Sequence, residues 1–278
     1  MAIDVKRVLV ADKIAAAGIE FLRQQPGLRV ECHNGLAEPD LCRLIADAHA
    51  VIVRSATTIT AGALDAAPAL LVIGRAGIGV DNIDVGRATE RGIVVLNTPD
   101  ANATTTAELT LAHILSLSRS LPQADRSLRA GEWKRSQFMG AELANKTLGI
   151  VGYGTIGRIV AAMARALRMR VIAHDPFVTP QAFEADGIEC MDLDALIAVA
   201  DYLTLHCPMN NKTRGLLNGE RLRSMKRGAR IINCARGGLV DEPALHDLLA
   251  SGHLGGAALD VFEQEPPGDS PLLKLDNV

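Results

Sequence analysis

The sequence predicts an α/β protein in which short parallel strands alternate with helices. Two observations support this prediction: apolar runs rich in Val, Ile and Leu recur along the chain, and segments with helical character separate them. Continuous apolar runs of this kind are typical of parallel strands that are buried on both faces of a sheet. The length of 278 residues suggests two domains, at roughly 150 residues for each.

The first part of the chain contains five predicted strands, at residues 7–12, 28–33, 50–55, 70–77 and 92–97. Helices are expected between the early strands, at 13–24 and 40–48. Asp40 is a possible N-cap of the second helix, because a short acidic side chain can accept hydrogen bonds from the first amides of a helix.

The chain changes character after Asn97. Residues 102–121 have the pattern of a long helix in which Glu108 is the only acidic residue. A helix this apolar is expected to be buried on most of its sides, as between two domains. Residues 122–146 are expected to form a loose arm that contains the only tryptophan, Trp133. The alternation of strands and helices then resumes.

Composition argues against several classes of protein. The formal net charge of −3 gives no basic surface for nucleic acid or an anionic membrane. No apolar run approaches the roughly 18 residues of a membrane-spanning helix. The five cysteines form no CxxC pair, so neither a disulfide framework nor a metal site is indicated. A reducing, cytoplasmic environment is therefore expected.

The most specific local pattern is a glycine-rich turn. Gly152, Gly154 and Gly157 lie between a predicted strand and a predicted helix within 146–175. In a dinucleotide site, such glycines permit the tight turn, the approach of backbone amides to a pyrophosphate and close packing of helix on strand. The alternative is an ordinary strand–turn–helix unit with incidental glycines, which the complete context disfavours.

Two further features extend this dinucleotide pattern. Thr155 and Ile156 are placed at the start of the helix, where free amides can bind phosphate. The following strand ends at Asp175, 18 residues after Gly157. Its carboxylate would accept hydrogen bonds from ribose hydroxyls and repel a 2′-phosphate. NAD is therefore the expected cofactor, in preference to NADP.

Six motifs together resemble those of the D-specific 2-hydroxyacid dehydrogenases, over essentially the whole chain. They are GRAGIGVDNID (74–84), NTPDANATTTAE (97–108), GYGTIGR (152–158), LHCP (205–208), INCARGGLVDE (232–242) and GAALDVFEQEPP (256–267). The resemblance implies two Rossmann-like domains. Residues 1–98 would bind substrate and residues 99–278 would bind NAD, and the segment that completes the first domain in the family is not among these residues.

The resemblance also implies catalytic roles. Arg236 matches the arginine that holds the substrate carboxylate and polarises the C2 oxygen, although a surface arginine after a strand is the alternative. Glu265, directly before Pro266, matches the glutamate that pairs with the catalytic histidine; Glu263 is the other candidate for that position. The family histidine lies about five residues beyond the position of Val278, and none of the seven histidines here fits the role. Impaired activity is therefore expected of this chain.

The remaining site residues also follow from the resemblance. Further cofactor contacts are expected at His206, Cys207, Pro208, Cys234, Ala235, Arg236 and Asp260. Asp260 could bind the nicotinamide carboxamide. Cys234 could instead be a nucleophile, but no motif places a base beside it, so a small buried residue is favoured. Substrate contacts are expected at Arg54, Ser55, Arg75, Gly77, Asn102 and Arg135, the last from a partner subunit, and Ile78 replaces the usual threonine. No metal is expected.

The motifs are most similar to those of the family branch that oxidises D-3-phosphoglycerate to 3-phosphohydroxypyruvate in serine biosynthesis. A glyoxylate or hydroxypyruvate reductase shares every motif and is the nearest alternative. A non-enzymatic NAD-binding regulator, as in the transcriptional corepressors built on this fold, is a second. A homodimer or homotetramer is expected, because the arm places Trp133 and Phe138 where they have little of their own domain to cover.

Overall fold

The computed structural model describes residues 5–278, and its internal contacts divide the chain into two units. The first unit ends at Asn102 and the second is Ala103–Val278. Each unit contains one sheet, and all of the strand pairs in both sheets are parallel. The predicted α/β class with parallel sheets is therefore confirmed.

The first unit has a five-stranded sheet with helices between its strands. The strands are β1 (Lys6–Val10), β2 (Leu28–Cys32), β3 (Ala50–Val53), β4 (Val72–Arg75) and β5 (Val94–Asn97), in the spatial order β2-β1-β3-β4-β5. The helices are α1 (Ala16–Arg23), α2 (Glu38–Ile45), α3 (Ala61–Asp65) and α4 (Val85–Glu90). Leu9, Val51 and Ile73 of the central strands are fully buried with Leu41 and Ile45 of α2.

The start of α2 differs from the prediction. Ala37 occupies the N-cap position and Pro39 lies in the first turn, where a missing amide hydrogen removes no helical hydrogen bond. Asp40 is therefore already inside the helix, and its carboxylate pairs with Arg43 at 2.9 Å. The expectation that Asp40 caps the helix is wrong.

The second unit has a six-stranded sheet in the order β11-β10-β9-β6-β7-β8. Its strands are β6 (Thr147–Val151), β7 (Arg170–His174), β8 (Glu189–Cys190), β9 (Tyr202–Leu205), β10 (Arg230–Asn233) and β11 (Gly256–Leu259). The helices are α5 (Ala103–Arg119), α6 (Leu121–Arg129), α7 (Thr155–Ala166), α8 (Pro180–Ala185), α9 (Leu193–Val199), α10 (Gly219–Ser224) and α11 (Glu242–Ala250). Apolar cores lie on the two faces of this sheet.

Two elements of the second unit correct the sequence-based expectations. Helix α5 buries only one stripe, at Ala103, Ala107, Thr110, Ile114 and Ser118, whereas Leu109 and Leu115 are 36% and 38% exposed. The expected burial on most sides is therefore wrong. The arm is also more ordered than expected, because α6 occupies Leu121–Arg129 with Pro122 in its first turn and a 3₁₀ turn follows at Arg135–Phe138.

No helix among residues 5–278 combines the length and apolar character needed to cross a membrane.

Candidate functional site

The candidate cofactor residues of the second unit follow the carboxyl ends of five parallel strands. The Gly152 turn follows β6, Asp175 follows β7, His206–Pro208 follow β9, Cys234–Arg236 follow β10 and Asp260 follows β11. The carboxyl ends of parallel strands lie at the same edge of a sheet. The sheet order reverses at β6, whose neighbours are β7 and β9, and ligands of open α/β sheets bind at such a reversal.

The glycine-rich turn leaves space at one position only. Gly152 has a φ of +96°, and a Cβ there would lie 2.6 Å from the carbonyl carbon and oxygen of His206. A Cβ on Gly157 would lie 2.3 Å from the Gly152 oxygen, which shows how closely α7 packs on the turn. A Cβ on Gly154 would meet no protein atom within 4 Å. Protein atoms therefore fill the space beside Gly152 and Gly157, whereas the space beside Gly154 is open.

The open space adjoins the start of α7. Thr155 is the first residue of this 12-residue helix and, like Gly154, is exposed, and Ile156 is partly buried against the core. The first amides of a helix have no acceptor within it and carry a partial positive charge. These groups fit a pyrophosphate, which is anionic and needs close backbone approach.

Backbone amides hold the Asp175 carboxylate in place. Its Oδ2 accepts a hydrogen bond from the Tyr153 amide at 2.8 Å, and its Oδ1 accepts one from the Phe177 amide at 2.9 Å. Each carboxylate oxygen has a second lone pair and can accept another hydrogen bond. Asp175 is therefore oriented by the glycine-rich turn and can still receive hydroxyl donors.

The Tyr153 side chain lies beneath the turn in a small polar and aromatic cluster. Its ring stacks on Phe183 with centroids 4.8 Å apart, and its hydroxyl donates to Asp186 at 3.1 Å. Arg158 pairs with the same Asp186 carboxylate and lies over the Tyr153 ring. Burial, with the Asp186 hydrogen bond second, raises the pKa of the Tyr153 phenol to about 12. The hydroxyl therefore stays protonated and acts as a donor.

His206 and Cys207, which follow β9, are partly buried and uncharged at neutral pH. His206 keeps some exposed surface overall, yet its Nδ1 is covered and has no hydrogen-bond partner among the described residues. Its Nε2 lies 3.0 Å from the Thr204 hydroxyl. Burial lowers the pKa of His206 to about 4 and raises the pKa of the Cys207 thiol to about 11, with the Asp175 charge adding to the second shift. Pro208, which follows, is exposed.

The loop that carries Arg236 is fixed by Asn233, a residue that the sequence analysis did not single out. The Asn233 Nδ2 donates to the Arg236 carbonyl at 2.8 Å, and its Oδ1 accepts from the Ala235 amide at 3.1 Å. Asn233 is almost fully buried, whereas Arg236 is partly exposed. A buried amide at the end of β10, inside a quoted motif, was the signal that could have identified it.

Cys234 is enclosed at the start of this loop. Burial raises the pKa of the Cys234 thiol to about 11. The Thr110 side chain of α5 lowers this pKa, and the Asp260 charge raises it. The thiol is protonated at neutral pH and is a poor nucleophile. Asp260 itself is exposed at the carboxyl end of β11.

Glu265 is exposed, and its Oε1 accepts a hydrogen bond from the Phe262 amide at 3.2 Å. All seven histidines lie within residues 5–278, and no hydrogen bond in that range joins one of their rings to Glu265. Five of the rings bond elsewhere: His49 to Arg7, His174 to Met191, His206 to Thr204, His246 to Asp247 and His253 to Met225.

The candidate substrate residues of the first unit follow β3 and β4. Arg54 and Ser55 are exposed directly after β3. Arg75 ends β4, and its guanidinium covers the Cα of Gly77, because a Cβ there would lie 1.4 Å from the Arg75 Nη1. The carbonyl of Ile78 accepts from the Asn97 Nδ2 at 2.7 Å. Asn102 is exposed at the end of this unit.

Arg135, the substrate candidate expected from a partner subunit, lies in the second unit, exposed at the start of the 3₁₀ turn Arg135–Phe138. The other substrate candidates lie in the first unit.

Across the described residues no cluster of three or more His, Cys, Asp or Glu side chains could hold a metal ion. The donor set of the second unit instead fits a dinucleotide: backbone amides for phosphate and a carboxylate for hydroxyls.

Comparison with known proteins gives the same assignment. Residues 111–278 match the model of the "D-isomer specific 2-hydroxyacid dehydrogenase, NAD binding domain". The chain is 46% identical over 273 residues to a D-3-phosphoglycerate dehydrogenase of Archaeoglobus fulgidus, covering 98% of this chain and 52% of that protein. It therefore spans about half the length of the curated relatives that it matches.

Solved structures also match closely. A D-lactate dehydrogenase from Aquifex aeolicus complexed with NAD and lactic acid superposes with a TM-score of 0.89 at 27% identity. A glyoxylate reductase from Paecilomyes thermophila has the same TM-score at 33% identity. In both cases the match covers 98% of this chain and 86% of the other. The two-sheet α/β fold and the NAD cofactor predicted from the sequence are thereby confirmed.

Proposed function

Because the chain belongs to the D-isomer specific 2-hydroxyacid dehydrogenase family, we propose that it transfers hydride between C2 of a D-2-hydroxy acid and NAD. The observation that carries this proposal is the placement of the glycine-rich turn, Asp175 and Arg236 after strands of one parallel sheet. The substrate proposed is D-3-phosphoglycerate, oxidised to 3-phosphohydroxypyruvate in serine biosynthesis. The curated relatives named for this substrate support it at about 45% identity.

Cofactor binding is assigned to the second unit. The amides at Gly154, Thr155 and Ile156 would bind the pyrophosphate, and Asp175 would accept hydrogen bonds from the ribose hydroxyls of the adenosine. His206, Cys207, Pro208, Cys234, Ala235, Arg236 and Asp260 would line the rest of the site. NAD, when bound, would accept the hydride that leaves C2 of the substrate.

Arg236 is the proposed anchor of the substrate carboxylate. A guanidinium keeps its charge at all physiological pH values, and its planar donors match a carboxylate in two parallel hydrogen bonds. The two hydrogen bonds of Asn233 to the Arg236 loop fix the backbone from which this side chain extends. Arg54, Ser55, Arg75, Gly77, Asn102 and Arg135 are proposed to contact the substrate as well.

The hydroxyl proton must pass to a base, and an arginine cannot accept it. Glu265 is proposed to orient and polarise an imidazole. No ring among residues 5–278 is hydrogen-bonded to it, so we propose that the 278-residue chain lacks its general base and turns over slowly. Loss of a general base reduces rates by about 10²- to 10⁴-fold.

Added imidazole tests this proposal. The 278-residue chain is incubated with NAD and D-3-phosphoglycerate, and NADH production is followed with and without millimolar imidazole. Imidazole is expected to raise the rate at least several-fold in the wild type and far less in the Glu265→Gln variant. A fast rate without imidazole, unaffected by its addition, would show that a group already in the chain is the base.

Two other functions are distinguished by the same assay. The similarity to the glyoxylate reductase structure supports a reductase of glyoxylate or hydroxypyruvate as the second candidate. It would show NADH-dependent reduction of those acids in preference to oxidation of D-3-phosphoglycerate. NADH binding without turnover of any acid in the panel, even with imidazole, would instead indicate an NAD-binding regulator.

The proposed assembly is a homodimer or homotetramer. Its support is the set of exposed apolar side chains in and beside the arm, among them Trp133 and Met139. A reducing compartment such as the cytoplasm is proposed because all five cysteines are free.

A further inference from the structure

The turn at residues 54–57, directly after β3, is held by a buried carboxylate from another strand end. Asp12 lies just after β1 and is only 4% exposed. Its Oδ2 accepts hydrogen bonds from the amides of Arg54 at 2.5 Å and Thr57 at 3.2 Å, and its Oδ1 accepts from the Thr57 hydroxyl at 2.7 Å. Hydrogen bonds to a carboxylate are shorter and stronger than neutral ones.

A second side chain holds the same turn through its carbonyl groups. The Asn82 Nδ2 donates to the Arg54 carbonyl and to the Thr57 carbonyl, each at 2.6 Å. The backbone N–H and C=O of both end residues of the turn are therefore bonded to Asp12 and Asn82. Only the NH₂ group of a carboxamide can donate to carbonyl oxygens, so these two hydrogen bonds also fix which way the Asn82 carboxamide is oriented.

This arrangement leaves the middle of the turn facing solvent. Ser55 and Ala56 are exposed, as is Arg54, and neither Asp12 nor Asn82 bonds to the backbone of residues 55 and 56. The turn therefore presents two successive amides, a hydroxyl and a guanidinium, a group of donors suited to an anion.

The turn also lies at the strand reversal of the first sheet. In the order β2-β1-β3-β4-β5, the chain proceeds from β1 to one side and then to the other, so β1 and β3 are the strands at which the order reverses. Asp12 follows the first of these strands and Arg54 the second. Ligands of open α/β sheets bind beyond the carboxyl ends of the strands at such a reversal.

We propose that Asp12 and Asn82 are positioning residues that hold the 54–57 turn ready for the phosphate or carboxylate group of the substrate. This inference rests on the proposed role of Arg54 and Ser55 in substrate binding. Neither Asp12 nor Asn82 is proposed to contact the substrate. They act by fixing the backbone of the turn. Its hydrogen-bond donors are then already ordered, so binding of the anion carries a smaller cost in conformational entropy.

The experiment uses the 278-residue chain with saturating NADH and measures the dissociation constant of D-3-phosphoglycerate by calorimetry. Asp12→Ala and Asn82→Ala are expected to weaken binding at least tenfold. Asp12→Asn is expected to have a smaller effect, because the amide oxygen can still accept hydrogen bonds. Inorganic phosphate, titrated separately, is expected to follow the same order if the turn binds the phosphate group.

Thr60→Ala is the matched control. The Thr60 hydroxyl caps α3 by accepting from the Ala63 amide at 3.1 Å, three residues beyond the turn. Loss of this cap should lower the melting temperature, as the Asp12 and Asn82 variants do, yet leave the affinity for substrate unchanged. Amide hydrogen exchange supplies a readout that needs no substrate: Arg54 and Thr57 should exchange faster in Asp12→Ala and Asn82→Ala, and at the wild-type rate in Thr60→Ala.

The outcomes separate this inference from the proposed function. If wild type binds D-3-phosphoglycerate and the Asp12 and Asn82 variants bind it equally well, the positioning role is refuted and the proposed function stands. Unchanged amide exchange at Arg54 and Thr57 in both variants would show that Asp12 and Asn82 do not hold the turn. If wild type binds NADH but none of the 2-hydroxy acids tested, the proposed function fails and the positioning role fails with it.

Discussion

Among single residues, Asp175 is the one expected to set cofactor preference. The amides of Tyr153 and Phe177 fix its carboxylate, and its negative charge would repel a 2′-phosphate. Wild type is expected to bind NADH at least tenfold more tightly than NADPH. Asp175→Asn keeps an acceptor oxygen but loses the charge, so it should narrow that ratio mainly by improving NADPH binding. Fluorescence titration with both cofactors measures the ratio, and tighter NADPH binding by wild type would refute this role for Asp175.

His206 gives a prediction for the dependence of stability on pH. Burial lowers its folded-state pKa to about 4, whereas an unfolded histidine has a pKa near 6.5. Between these values the unfolded chain binds a proton that the folded chain does not. The stability contributed by the neutral ring is therefore present above about pH 6.5 and is lost as pH falls towards 4, by about 3 kcal/mol in total.

Urea unfolding of His206→Gln at several pH values tests this prediction. The variant should lose less stability than wild type between pH 6.5 and 4.5. Circular dichroism follows the unfolding of the chain, whose second unit contains His206. His246→Gln is the control, because that ring is partly exposed and bonds only to the exposed Asp247. Parallel pH curves for wild type and His206→Gln would contradict the prediction.

At the level of the element, substitutions in the turn between β6 and α7 can distinguish effects on cofactor binding from effects on folding stability. Gly154 has a negative φ and an added Cβ there meets no protein atom, so Gly154→Ala should fold with nearly the wild-type melting temperature. The added methyl group would nevertheless occupy the space that a pyrophosphate needs. We expect NADH affinity to fall at least tenfold while stability changes by about 0.5 kcal/mol or less.

Gly157→Ala is the matched comparison within the same turn. Its Cβ would lie 2.3 Å from the Gly152 oxygen, so α7 must shift away from the turn. Both the melting temperature and NADH affinity should fall. Calorimetric melting beside NADH titration distinguishes the two variants, and equal losses of stability in both would mean that Gly154 is a structural glycine only.

Strands and glycine turns were predictable because their signals are local. Apolar runs located the five strands of the first sheet to within a few residues, and the spacing from Gly152 to Asp175 placed the strand–helix–strand unit of the second. The loose arm expected at 122–146 instead begins with a helix, because Pro122 lies in the first turn of α6, where a missing amide hydrogen removes no helical hydrogen bond.

The positioning residues could not be predicted because their partners are distant in sequence. Asp12 and Thr57 are 45 residues apart, and Asn82 is 28 residues from Arg54. Only the sheet order, which sets β1 beside β3, brings Asp12 to the turn. Asp12 did carry a weak signal, because it is a single acid at the end of a predicted apolar strand. The sequence analysis located Arg54 and Ser55, which present hydrogen-bond donors, but not the roles of Asp12 and Asn82, which fix the backbone of their turn.

At the scale of the whole molecule, each unit carries its own part of the proposed chemistry at a reversal in strand order. The first unit presents the donors of the 54–57 turn beside β1 and β3. The second presents the glycine-rich turn beside β6 and β9. The same physical rule, that ligands bind beyond the carboxyl ends at such a reversal, thus applies separately to each sheet.

The arm gives the prediction for assembly. Trp133 is 76% exposed and Met139 80% exposed, and Leu121 and Leu128 of α6 are 53% and 58% exposed. Exposed groups of large apolar side chains usually mark a contact surface, and in a homo-oligomer a second copy of the chain buries that surface. Sedimentation at micromolar concentration is expected to show a dimer or tetramer. Trp133→Ser should shift the equilibrium towards monomer with little change in NADH affinity.

Trp133 also reports directly on that assembly, because it is the only tryptophan. If the arm is covered by a second copy, its emission should move to shorter wavelength as protein concentration rises through the dissociation constant, and quenching by iodide should weaken over the same range. Phe177, 86% exposed and outside the arm, gives the control variant Phe177→Ser, which should leave the oligomeric state unchanged. A solvent-exposed emission spectrum at every concentration, with only monomer in sedimentation, would mean that the arm surface remains uncovered in the protein.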